Sequence, residues 1–156
     1  MKFVKIPSPN FDKTERKLKY IIIHYTGMKS QKVAIKRLQS KVAKVSTHYL
    51  ISKKGVFYQM VKDQHVAWHA GKSRWGNDKN LNLKSIGIEL VNRGDEKFPS
   101  LQIKSLCMLI KYLKNRHKIQ KKNVLGHFHI APGRKIDPGI HFPWKKLAKQ
   151  NLSNNH

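Results

Sequence analysis

A single α/β domain, with a mixed central β-sheet flanked by helices, is the fold class that this sequence predicts. Two apolar, β-branched runs, 19–26 (KYIIIHYT) and 85–91 (SIGIELV), read as buried strands. One long helix is expected over 100–117, where Ile103, Leu106, Ile110 and Leu113 recur at helical spacing. The 156 residues suit one domain and allow roughly 70% of the unfolded surface to be buried.

The remaining elements follow in chain order. After the first strand, Ser30 is a plausible cap for a short helix over 31–38, with Val33, Ala34 and Leu38 on one face. Thr47–Ser52 and Val56–Val61 flank Lys53-Lys54-Gly55, the pattern of a β-hairpin with glycine in the turn. The stretch 68–84 is rich in Gly, Asn, Ser and Trp and reads as a long ordered loop over a site. Beyond the long helix, 123–127 reads as a short strand and 130–143 as a second functional loop with three prolines and two glycines. A short helix over 143–149 starts at Pro143. There are no repeats and no linker, so one domain covers 1–156, with its core over about 6–149.

Composition excludes several classes. One cysteine, Cys107, cannot form an internal disulfide or an all-cysteine zinc site, and is most simply a small core residue. No apolar run approaches the roughly 20 residues of a membrane span. The lysine-bearing N-terminus lacks an apolar segment of about 7–15 residues, so no secretory signal is visible and the cytoplasm is the expected compartment, with exported action left open. Nothing sets an oligomeric state. The formal charge of +25 comes from 33 Lys plus Arg against 8 Asp plus Glu. That balance favours anionic partners, yet 27 of the cations are lysines spread along the whole chain. Specific nucleic-acid readers favour arginine for guanine, and no nucleic-acid motif is present, so no specific nucleic acid is expected. The scarcity of acids makes every carboxylate near an apolar strand informative.

Nine histidines are a rich supply. His24 ends the first strand, His127 follows Gly126, and Asp137 precedes Pro138, which disfavours helical backbone at Asp137. Two imidazoles and a carboxylate, with a fourth position open, suit a catalytic zinc site. His127 and His129 lie two apart, and on a strand both would face one side, so either could be the ligand. Strand alternation sends Glu89 to the face opposite Ile86, Ile88 and Leu90, while Gly87 on its own face leaves room for a ligand.

The motifs IIIHYTG (21–27), VSTHYLI (45–51), AWHAGKSRWG (67–76), SIGIELVN (85–92), GHFHIAPGRKIDPG (126–139) and FPW (142–144) occur in that order. Their series resembles the zinc-dependent N-acetylmuramoyl-L-alanine amidases of the amidase-2 family, relatives of cell-wall-recycling amidases, T7-type lysozyme and the peptidoglycan recognition proteins. The resemblance implies the fold of that group and one zinc per chain, held by His24, His127 and Asp137. It implies Glu89 as the residue that activates water and Lys135 as the one that stabilises the tetrahedral intermediate. Tyr25, His48, Trp68, His69 and Arg134 correspond to substrate-cleft residues, with core packing the competing reading for the aromatic ones. The implied reaction is hydrolysis of the amide joining N-acetylmuramic acid, ordinary or 1,6-anhydro, to L-alanine in peptidoglycan or muropeptides. Two positions depart from the family pattern: His129 stands where an acidic residue is usual, and Val66 where many relatives carry arginine. The rival readings are a peptidoglycan-binding module without catalysis and, more remotely, a basic binder of anionic polymers.

Overall fold

The computed structural model describes all 156 residues. In chain order its elements are β1 (Val4–Lys5), β2 (Phe11–Asp12), β3 (Tyr20–Tyr25), α1 (Gln31–Gln39), β4 (Tyr49–Ile51), β5 (Phe57–Gln59), β6 (Val66–Ala67), β7 (Arg74–Trp75), β8 (Asp78–Lys79), β9 (Ser85–Leu90), α2 (Ser100–His117), β10 (Val124–Gly126), α3 (His127–Ile130) and α4 (Trp144–Lys149). Six strands form the central sheet in the order β1-β5-β4-β9-β3-β10. Only the β4–β5 hairpin is antiparallel; the other pairings are parallel. The two predicted apolar runs, β3 and β9, lie side by side at the centre, with His24 registered on Glu89.

Alternation along these strands divides the sheet into a packing face and a working face. Ile21 and Ile23 of β3, and Ile86, Ile88 and Leu90 of β9, join α2 residues Ile103, Leu106, Ile110 and Leu113 and α4 residues Trp144 and Leu147 in the main core. Each fully buried Ile or Leu contributes roughly 1.5–3 kcal/mol relative to exposure, so this face anchors the sheet. Tyr20, Ile22 and His24 point the other way, as do Ser85, Gly87 and Glu89. A second, smaller core of Tyr20, Ile22, Leu81, Leu125 and Ile130 closes that face on one side. A third, of Ala34, Leu38, Leu50, Met60 and Val91, seats α1 on the other. The gap between the two is where the site lies.

Several details differ from the sequence reading. Val33 is 52% exposed, because Ala34 and Leu38 suffice to seat the short α1. Ser30 does cap that helix, its Oγ accepting from the Val33 amide at 3.3 Å. The stretch 68–84 is more regular than a loop: it holds a β7–β8 hairpin and a 3-10 turn at Leu81–Lys84. Residue 127 leaves the predicted strand and opens the helical turn α3. No helix is long and apolar enough to cross a membrane.

Candidate metal centre and catalytic cleft

Three chain segments distant in sequence converge on the working face. His24 comes from the C-terminal end of β3, His127 from the first position of α3, and Asp137 from the loop before α4. Their nearest side-chain atoms form a tight triangle: His24 Nδ1 lies 3.0 Å from His127 Nδ1 and 2.9 Å from Asp137 Oδ2. The third side, His127 Nδ1 to Asp137 Oδ2, measures 3.1 Å. All three residues are buried. Gly126 lets the triangle close, because a Cβ there would stand 2.6 Å from Pro138 Cδ, next to Asp137.

The donor set fits a divalent metal. His127 donates its Nε2–H to Ala70 O at 3.0 Å, so a neutral His127 ring turns a bare Nδ1 inward. Burial lowers the His24 pKa, which favours the neutral imidazole that binds metal. Two imidazole nitrogens and a carboxylate oxygen thus turn lone pairs toward one another within 4.8 Å, a repulsive arrangement that a cation resolves.

A cavity of about 500 Å³ opens over this triangle, lined among others by Tyr25, Trp68, His69, Glu89, Arg134 and Lys135. Glu89 Oε2 is buried and has no hydrogen-bond partner. Burial, and next the negative charge of Asp137, push the Glu89 pKa well above the usual carboxylate value, with Lys135 pulling the other way. A carboxylate with a raised proton affinity, facing a cavity beside a metal site, is placed to act as a base.

The expected site residues are thus mostly brought together, with corrections. His48 does not line the cavity: it is 0% exposed, its Nδ1 accepts the Gly87 amide at 3.0 Å and its ring centroid lies 5.7 Å from that of His69, so it has no surface for substrate. His69 borders the cavity, but its Nδ1 lies 3.0 Å from His24 Nε2 and its Nε2 3.2 Å from Ser85 Oγ, leaving neither nitrogen free. Arg134 spends its Nη2 on Ala70 O and Lys72 O at 2.8 and 2.6 Å, tying the 70–72 segment to the loop before Asp137. The His127–His129 alternative resolves by geometry: on a helical turn the two point apart. His129 Nδ1 accepts the Gly126 amide at 2.9 Å, outside the triangle. Trp68 lines the cavity with its Nε1 held by Asp12 Oδ2 at 2.8 Å. Sequence reasoning missed Ser85 and Asn82, whose side chains contact His69; the signal was Ser85 sharing the Gly87 and Glu89 face of β9.

A family model described as N-acetylmuramoyl-L-alanine amidase matches residues 14–140. The N-acetylmuramoyl-L-alanine amidase AmiD of Escherichia coli K12 is 40% identical over 152 residues, covering 87% of this chain and 54% of that protein. The chain therefore spans about half the length of that curated relative. The 1,6-anhydro-N-acetylmuramyl-L-alanine amidase AmpD of Haemophilus influenzae is 32% identical, covering 91% of this chain and 88% of that protein. A solved structure of the E. coli AmiD, in complex with anhydro-N-acetylmuramic acid-L-Ala-D-γ-Glu-L-Lys, superposes with a TM-score of 0.83 at 38% identity, over 90% of this chain and 60% of that one.

Proposed function

The chain belongs to the N-acetylmuramoyl-L-alanine amidase family, and from that premise we propose that it hydrolyses the amide between N-acetylmuramic acid, including its 1,6-anhydro form, and L-alanine in muropeptides or peptidoglycan. The observation that carries the proposal is one cavity bordered by a metal-ready triad, a carboxylate with one buried, unpartnered oxygen, and a lysine. The proposed metal is one zinc per chain, on His24, His127 and Asp137. The chemistry that zinc supplies when bound is polarisation of a carbonyl and a lower pKa for water.

The chain's own groups account for the rest. Glu89 takes the proton of the attacking water and returns it to the leaving alanine nitrogen, which departs as an amine. Lys135, on the cavity wall, places a cation near the carbonyl oxygen as negative charge develops there. Tyr25 and Trp68 offer flat, partly apolar walls for the substrate. Of the cleft residues expected from sequence, Arg134 and His69 act as supports for the walls rather than as ligands of the stem peptide.

The test is incubation with defined muropeptides, ordinary and 1,6-anhydro, with and without a chelator, followed by mass spectrometry. Release of the intact stem peptide from the sugar, abolished by chelator and restored by zinc, is the expected result. Zinc uptake and muropeptide binding with no cleavage would assign the chain instead to a non-catalytic binding role.

A further inference from the structure

The two histidines of the triad receive their outer hydrogen bonds in different ways. His127 meets a backbone carbonyl, Ala70 O, which can only accept and so dictates an Nε2–H. His24 meets another imidazole, His69, which can accept or donate. An imidazole facing an imidazole leaves the tautomer undecided unless something beyond the second ring decides it.

Ser85 does so. Its Oγ donates to Leu81 O, and a carbonyl can only accept, so the hydroxyl proton is committed to that bond. Oγ then faces His69 Nε2, at 3.2 Å, as an acceptor, and Nε2 carries the ring proton. The bare Nδ1 of His69 accepts from His24 Nε2 at 3.0 Å, which leaves His24 Nδ1 as a lone pair aimed at the triangle. We propose that Ser85 and His69 are positioning residues that fix the tautomer of His24 through this chain of hydrogen bonds, and so preset the metal site. The proposal rests on the reading that His24, His127 and Asp137 hold a metal.

The surroundings keep the relay in register. Asn82 Oδ1 accepts the amides of His69 and Ala70 at 3.1 and 2.7 Å, so one 3-10 turn anchors the outer partners of both histidine ligands. The His69 ring lies flush on Gly87, where a Cβ would come within 2.5 Å of its Cγ. Ser85 is 0% exposed and lies outside the cavity lining, so it reaches the reaction only through His69.

The test uses the whole chain with 15N-labelled histidine, stripped of metal, and compares wild type with Ser85→Ala and Ser85→Cys. Long-range 1H–15N spectra read the tautomer of His24 directly, and zinc competition against a chromophoric chelator reads affinity. The wild type should show His24 as the Nε2–H tautomer, whereas both variants show a tautomer mixture. Zinc should bind the variants about 10–100-fold more weakly, the usual scale for a lost outer-shell partner. Should the alanine variant fail to fold, the cysteine variant, which keeps the volume but accepts hydrogen bonds poorly, carries the comparison. Variants that keep the wild-type tautomer and bind zinc within about two-fold of wild type overturn the relay alone. A wild-type chain that takes up no zinc overturns the metal reading and the relay together.

Discussion

Asp78 and Glu89 occupy opposite electrostatic worlds in a chain with 33 basic residues and 8 acidic ones. Asp78 accepts from Lys19 at 2.6 Å and from Tyr20 at 2.5 Å, and also binds Lys84, contacts that lower its pKa. Elsewhere Asp95 takes a two-pronged contact from Arg93 and Glu96 pairs with Lys53. Glu89 is different: one of its oxygens is buried without any partner, although lysines outnumber carboxylates more than threefold. Where cations are this plentiful, leaving a buried carboxylate oxygen unpaired costs free energy that the fold does not recover locally. That cost points to a working group, whereas the Asp78 cluster points to a surface fastening.

The contrast can be broken from either side. The largest effect is expected at the triangle: Asp137→Ala or His24→Ala should lose both stoichiometric zinc and detectable amidase turnover, because a three-ligand site does not survive a missing partner. Metal analysis alongside the muropeptide assay checks this. Next comes Gly87→Ala, whose Cβ would lie 2.5 Å from the His69 ring. A cost of about 1–3 kcal/mol in urea unfolding is expected, as for other overpacked sites, together with weakened zinc binding.

A third expectation concerns acid. Burial, with the Arg16 charge adding to it, pushes the His48 pKa down to about 3. The unfolded chain takes up this proton near pH 6.5, the folded one only near pH 3, so the contribution of His48 is present above the higher value and is lost as pH falls through that window. His48→Gln should therefore be less stable than wild type near neutrality, and the gap should narrow as the medium is acidified. Urea midpoints across that pH range measure it. The smallest effect is expected for Asp78→Asn. Ion pairs whose lysines lie in solvent contribute little, so the melting temperature should fall by no more than about 4 °C and amidase activity should stay unchanged.

Legibility in the sequence followed the strength of the local signal. The central strands and the long helix were readable because their apolar residues repeat at the right period, and the parity of β9 alone placed Glu89 opposite Ile86, Ile88 and Leu90. His24, His127 and Asp137 stood out by residue type and by the glycine and proline beside them. The two-residue strands β1, β2 and β6 were invisible, since two residues carry no period. The His127–His129 ambiguity came from reading a strand through a position where the chain turns helical. The burial of His48 and the contacts of His69 depend on partners up to 45 residues away, which no local pattern encodes.

The most direct test of the contrast between the two carboxylates is Glu89→Gln, assayed for zinc content and muropeptide turnover in one preparation. Glutamine keeps the shape of the side chain but cannot take the water's proton. Full zinc occupancy with hydrolysis slowed by about 10²–10⁴-fold is the predicted result. Turnover within a few-fold of wild type, with zinc retained, would contradict it and leave the unpaired Glu89 oxygen without a catalytic role.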